Sequence, residues 1–138
     1  MTQTQTAEFD PAAYLGRAYP SPPCWSLVAD VYATARGQNV LAYRTVTSSI
    51  RAIAAEFRLQ LHKSAHGFAQ IAEPQDLCIV LLGKSRAVGV HHCGIWWQGH
   101  VLHALDSGVL LQDVASLSDQ YEIMEFWARP EAADEVSA

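Results

Sequence analysis

The chain has 138 residues and 15.1 kDa, half of them hydrophobic and 17% charged, which suits one globular domain that needs no disulfide staples. Its formal net charge is -5, and its few Lys and Arg are scattered rather than gathered into a stripe. A phosphate backbone would find little to neutralise, so no nucleic-acid partner is expected, and an acidic chain has no special attraction to an anionic membrane.

Three cysteines, Cys24, Cys78 and Cys93, are an odd number without regular spacing, which argues against a disulfide framework. The opening residues MTQTQTAEFD lack the basic start and apolar run of a secretory signal. The strongest apolar run, Leu77 to Leu82, is far too short to span a bilayer. The expectation is a protein made and folded in a reducing cytoplasm, without a signal peptide and without membrane insertion.

In chain order, residues 1–13 are expected to form a mobile N-terminal segment, and the Pro- and Gly-rich PAAYLGRAYPSPP an extended or turn stretch. The first helix is predicted over CWSLVADVYATAR. Its Leu27, Val28, Val31, Tyr32 and Ala35 share one face, and Gly37 stops it. The Pro22–Pro23 pair forces that helix to begin close to Cys24, since proline is tolerated in a first turn or before it. A second helix is predicted from about Thr47 to Gln60, with Ile50, Ile53, Ala54, Phe57 and Leu61 as its buried stripe, followed by a loop from His62 to Gly67. Strands are then predicted at Asp76 to Leu82, Val88 to Trp97, His100 to Leu105, Val109 to Val114 and Tyr121 to Ala128, in an antiparallel meander. Residues 14–130 form one domain, and residues 131–138 an acidic mobile tail. Helices first and strands after make an α+β fold, with N-terminal helices packed on a mostly antiparallel sheet of five or six strands.

The chemistry centres on two places. Cys24 falls in the first turn of its helix, where unpaired N–H groups and the positive dipole end stabilise a thiolate and can donate to an oxyanion. Read alone, Cys24 equally fits a buried structural cysteine. The second place is HHCGIWWQGHVLHA, His91 to Ala104. With Gln98 and Gly99 as a two-residue turn, Trp97 faces His100 and Gly94 faces His103. His92 and His103 then share a face as diagonal neighbours, with a side-chain gap left by Gly94, while His91 and Cys93 point the other way. A Cys–His pair needs a third polar group to orient the imidazole, and His103 could serve His92 in that role. Two histidines on one face also fit a solvated sheet surface. His91, His92, Cys93, His100 and His103 are zinc-ligand types, but their spacing matches no zinc motif, so neither a metal nor a cofactor is expected. Among the aromatics, Trp25 follows the cysteine directly and could wall a cleft, whereas Tyr14 or Tyr19 could lend a hydroxyl to an oxyanion site.

Four segments, in order, resemble the NlpC/P-sixty family of papain-like cysteine peptidases, above all its phage-tail branch. YLGRAY before PPCWSLVADVY is similar to the family's segment ending in Cys-Trp-Gly-Leu-Val, and EPQDLCIVL to its Pro-x-x-Gly-Asp-Leu-Val strand. HHCGIWWQGHVLHA is similar to its His-Val-Gly-Ile-Tyr hairpin ending in His-Ala, and GVLLQDVASLSDQYEIMEFWARP to its closing strands. The resemblance implies a papain-like fold, Cys24 as nucleophile, His92 as base and His103 as orienting residue; Tyr19, Trp25 and Trp96 are separate candidates for binding substrate. It further implies hydrolysis of peptide bonds in peptidoglycan stem peptides. The protein would be carried to the cell wall in a virion or tail-like particle, with tail proteins as partners. The sequence departs from the family's pattern at Pro23, where Asp is usual, and at Ser26 and Gln75, where Gly is usual. A catalytically weak or inactive structural module of a tail tip is the alternative.

Overall fold

A computed structural model describes residues 9–19, 23–38, 54–55 and 67–129. Within them lie helix α1 (Pro23–Arg36), strands β1 (Ala69–Ile71), β2 (Ile79–Gly83), β3 (His92–Trp97), β4 (His100–Leu105) and β5 (Gly108–Asp113), helix α2 (Val114–Gln120) and strand β6 (Ile123–Ala128). The fold is α+β: among the described residues, helices α1 and α2 accompany a six-stranded sheet whose pairings are all antiparallel.

The helix expected from Thr47 to Gln60 and the loop from His62 lie outside the described residues, except that Ala54 and Ala55 are helical. The α1 boundaries follow from the sequence as argued: proline at its first position and Gly37 in the left-handed region (φ 64°) just past its end.

The expected simple meander needs correction. The sheet order is β1-β6-β2-β3-β4-β5, so only β2 to β5 run as a meander, while β6 returns across the sheet to pair with both β2 and β1. Helix α2 carries the chain back. Its seven residues VASLSDQ look like a polar gap, but Asp113 caps them by accepting from the Ser116 N–H at 3.2 Å and the Ser116 hydroxyl at 2.8 Å. Strand β1 was not predicted, because Ala69-Gln70-Ile71 is too short to display a period of two.

Alternation along the strands sends side chains into two apolar layers. On one side, Leu27, Val28, Val31 and Tyr32 of α1 pack with Ile79, Leu81, Cys93, Ile95, Leu102 and Ala104. On the other, Leu117 of α2 packs with Val80, Leu82 and Val101, joined by Trp96, Met124 and Phe126. Strand β2 is therefore buried along its whole length. Ahead of α1, Phe9 lies against Tyr14 and edge-on to Trp97, with ring centroids 5.7 and 4.8 Å away. The same segment caps the outer edge of β5: the Gly16 N–H donates to the Val109 carbonyl and the Val109 N–H to the Arg17 carbonyl, each at 3.1 Å.

Candidate active site

Cys24 is the second residue of α1, and its side chain is buried, with 4% of its surface exposed. Two groups from β3 reach it. Hydrogen bonds from the Cys93 side chain first, and from the His92 side chain next, hold the Cys24 thiol well below the usual thiol range against the opposing effect of burial. Cys93 moves the other way: burial and the neighbouring Cys24 push it well above the usual range, so it stays a thiol and can donate its S–H. His92 opens β3, at the end of the strand rather than its middle, so its ring and the next side chain, Cys93, can both meet the tip of α1.

The hairpin places the histidines as its sequence implies. Gln98 and Gly99 both have positive φ (49° and 82°), the twist a two-residue hairpin turn requires, and the pairing runs Trp97 to His100 and Gly94 to His103. His92 Nε2 lies 2.9 Å from His103 Nδ1, with the rings edge-on at 77°. His103 Nε2 in turn lies 2.9 Å from the Gln112 side-chain oxygen. Both histidines are buried, His92 8% and His103 1% exposed. Burial, reinforced by the nearby His92, holds His103 down to about 4, so it is neutral at physiological pH.

Expectation and structure part at Gly94. No opening exists there: a Cβ on Gly94 would sit 2.7 Å from the Val101 side chain, 2.7 Å from the Leu102 carbonyl and 3.0 Å from the His103 Cβ. Glycine lets β3 and β4 bring His92 and His103 together rather than admitting a third group.

Tyr121 also belongs to the site. Its ring stacks on His92 with centroids 5.9 Å apart and planes 13° apart, fixing the plane of the imidazole. Burial raises the Tyr121 hydroxyl, and the Cys24 charge adds to the effect. His91 is held differently, its Nε2 accepting the Lys84 N–H at 3.2 Å, and burial lowers it.

The structure thus brings Cys24, His92 and His103 into one connected set. Of the three aromatics expected near substrate, Tyr19 donates its hydroxyl to Asp30 at 2.5 Å and is pushed up to about 12 by burial and that bond. Asp30 also pairs with Arg17 at 3.1 Å. Trp25 lies in the main core with Cys24, and Trp96 packs edge-on against Phe126 in the second layer. Among the described residues, no three His, Cys, Asp or Glu side chains gather as a metal site, and no helix is long and apolar enough to cross a membrane.

Sequence reasoning missed Cys93, Gln112 and Tyr121. Alternation did place Cys93 opposite His92, the side on which α1 packs, so its meeting with Cys24 was implicit in that parity. Gln112 could have been found by extending the register through the Asp106–Ser107 turn, which pairs Val101 with Gln112 and leaves Gln112 diagonal to His103. Tyr121 carried no signal, because the return of β6 decides its position. The chain matches no family model, and no curated protein matches its sequence.

Proposed function

We propose that the protein is a cysteine hydrolase in which Cys24 attacks a carbonyl carbon and His92 manages the proton. The observation that carries this reading is the 2.9 Å contact from His92 Nε2 to His103 Nδ1 beside a Cys24 thiol that Cys93 and His92 draw down. A thiol drawn down by an imidazole, itself oriented by a third group, is the arrangement that nucleophilic catalysis needs.

In this reading His92 takes the thiol proton and the thiolate adds to the scissile carbonyl. N–H groups at the start of α1 stabilise the oxyanion. His92 then returns the proton to the leaving amine as the C–N bond breaks. Water, activated by His92, hydrolyses the thioester and restores the thiol. The resemblance to the NlpC/P-sixty family supports a papain-like fold. It also supports stem peptides of bacterial peptidoglycan as substrate, and carriage to the wall in a phage tail or gene-transfer particle.

Incubation with defined stem peptides, followed by mass spectrometry, tests the proposal. Wild-type protein is expected to release amide-cleaved fragments, and Cys24→Ala to release none while keeping the same circular dichroism spectrum. Undiminished cleavage by Cys24→Ala would end this reading. The 4% exposure of Cys24, with Pro23 immediately before it, favours a second reading as a catalytically weak or inactive tail module. That module would bind tail proteins and release no fragment.

A further inference from the structure

Gln112 stands outside the Cys–His–His set, yet it closes the chain of polar contacts. Its side-chain oxygen lies 2.9 Å from His103 Nε2, and His103 Nδ1 lies 2.9 Å from His92 Nε2. The register supplies the approach: in the β4–β5 pairing Val101 faces Gln112 and His103 faces Leu110, so Gln112 is the diagonal, same-face neighbour of His103.

The direction of the hydrogen bonds follows from charge. When His92 holds the proton of Cys24 it is an imidazolium, and both of its nitrogens are donors. Its Nε2–H then requires an unprotonated Nδ1 on His103. A buried, neutral His103 carries a single ring proton, which must sit on Nε2. Whatever faces that nitrogen has to accept. The oxygen of Gln112 does so, whereas its NH2 group turned inward would set N–H against N–H.

We propose that Gln112 is a positioning residue that fixes His103 as its Nε2–H tautomer and thereby leaves His92 Nδ1 as the nitrogen that faces Cys24. The inference rests on the thiol–imidazole reading above. In forming the thiolate, the only proton that moves is the one passed from Cys24 to His92. His103 and Gln112 hold theirs, and no net charge develops beyond the thiolate–imidazolium pair. A neutral amide suits the place, since a carboxylate would draw a second positive charge onto His103 beside His92.

Nitrogen-15 NMR of histidine-labelled protein reads the tautomer directly, and the alkylation rate of Cys24 by iodoacetamide reads the consequence. The wild type is expected to show His103 protonated at Nε2. Gln112→Leu should lose that preference and slow Cys24 alkylation on the order of tenfold, the scale of one buried hydrogen bond. Gln112→Glu keeps an acceptor, so Nε2 should stay protonated, but its carboxylate should draw a second proton onto Nδ1, which the nitrogen-15 shifts read as an imidazolium; a singly protonated His103 in that variant counts against the charge argument. His103 protonated at Nδ1 in the folded wild type overturns the proposal without any variant, and so does an unchanged tautomer in folded Gln112→Leu. If Cys24 of the wild type reacts no faster than Cys78, the thiol–imidazole reading itself fails, and the role of Gln112 toward Cys24 fails with it. A fast Cys24 with the wrong His103 tautomer removes only Gln112.

Discussion

At the scale of residues, the three cysteines sit in three different environments. Cys24 is drawn down by Cys93 and His92, Cys93 is pushed up by burial and by Cys24, and Cys78 is pushed up by burial. Since the thiolate is the reactive form, iodoacetamide at neutral pH should label Cys24 ahead of Cys78 and Cys93, as peptide mapping can check. Equal labelling of the folded protein would count against an activated thiol. Cys93→Ala removes the S–H that donates to the Cys24 sulfur, so the pH profile of Cys24 alkylation should move to higher pH, as stopped-time alkylation across pH would show. His92 and His103 were legible in the sequence because a two-residue turn and strict alternation leave one register. Cys93 and Tyr121 were not given roles, since one meets Cys24 across layers and the other arrives by way of a crossover.

At the scale of elements, the hairpin β3–β4 is the part of the site that tolerates least change. Gly94 is enclosed by Val101, the Leu102 carbonyl and His103, and two of the contacts a Cβ would make, at 2.7 Å, are too short to keep. Gly94→Ala is therefore expected to destabilise the protein by about 1–3 kcal/mol, the range for overpacking a tight core. It should also slow Cys24 alkylation by displacing His103, and urea denaturation with alkylation kinetics measures both. Elements with strong local signals were read well: α1 from its apolar stripe and flanking Pro and Gly, and β4 from its turn and alternation. The elements that sequence reasoning lost were the three-residue β1 and the seven-residue α2, too short for periodicity to register.

At the scale of the whole molecule, the buried histidines make stability depend on pH. His103 titrates at about 4 in the fold against an ordinary 6.5, so between those values the unfolded chain binds the extra proton. Its contribution is fully present above pH 6.5 and is lost as the pH falls towards 4, by about 3 kcal/mol in all. His91, lowered mainly by burial, acts in the same direction. Urea midpoints should therefore fall between pH 7 and pH 4, and the fall should be shallower in His103→Asn; an identical slope in that variant would remove His103 as the cause.

By itself the sequence determined the α+β class, the start of α1 close to Cys24, and the hairpin register that sets His92 diagonal to His103. Each depends on contacts between residues close in the chain, where periodicity, proline and turn chemistry act directly. The tertiary structure alone decided that β6 returns beside β2, that Tyr121 lies over His92, and that Cys24 meets both Cys93 and His92. Those are encounters between distant segments, and which segments meet depends on how the two apolar faces of the sheet are covered, a property of the assembled layers and not of any local pattern.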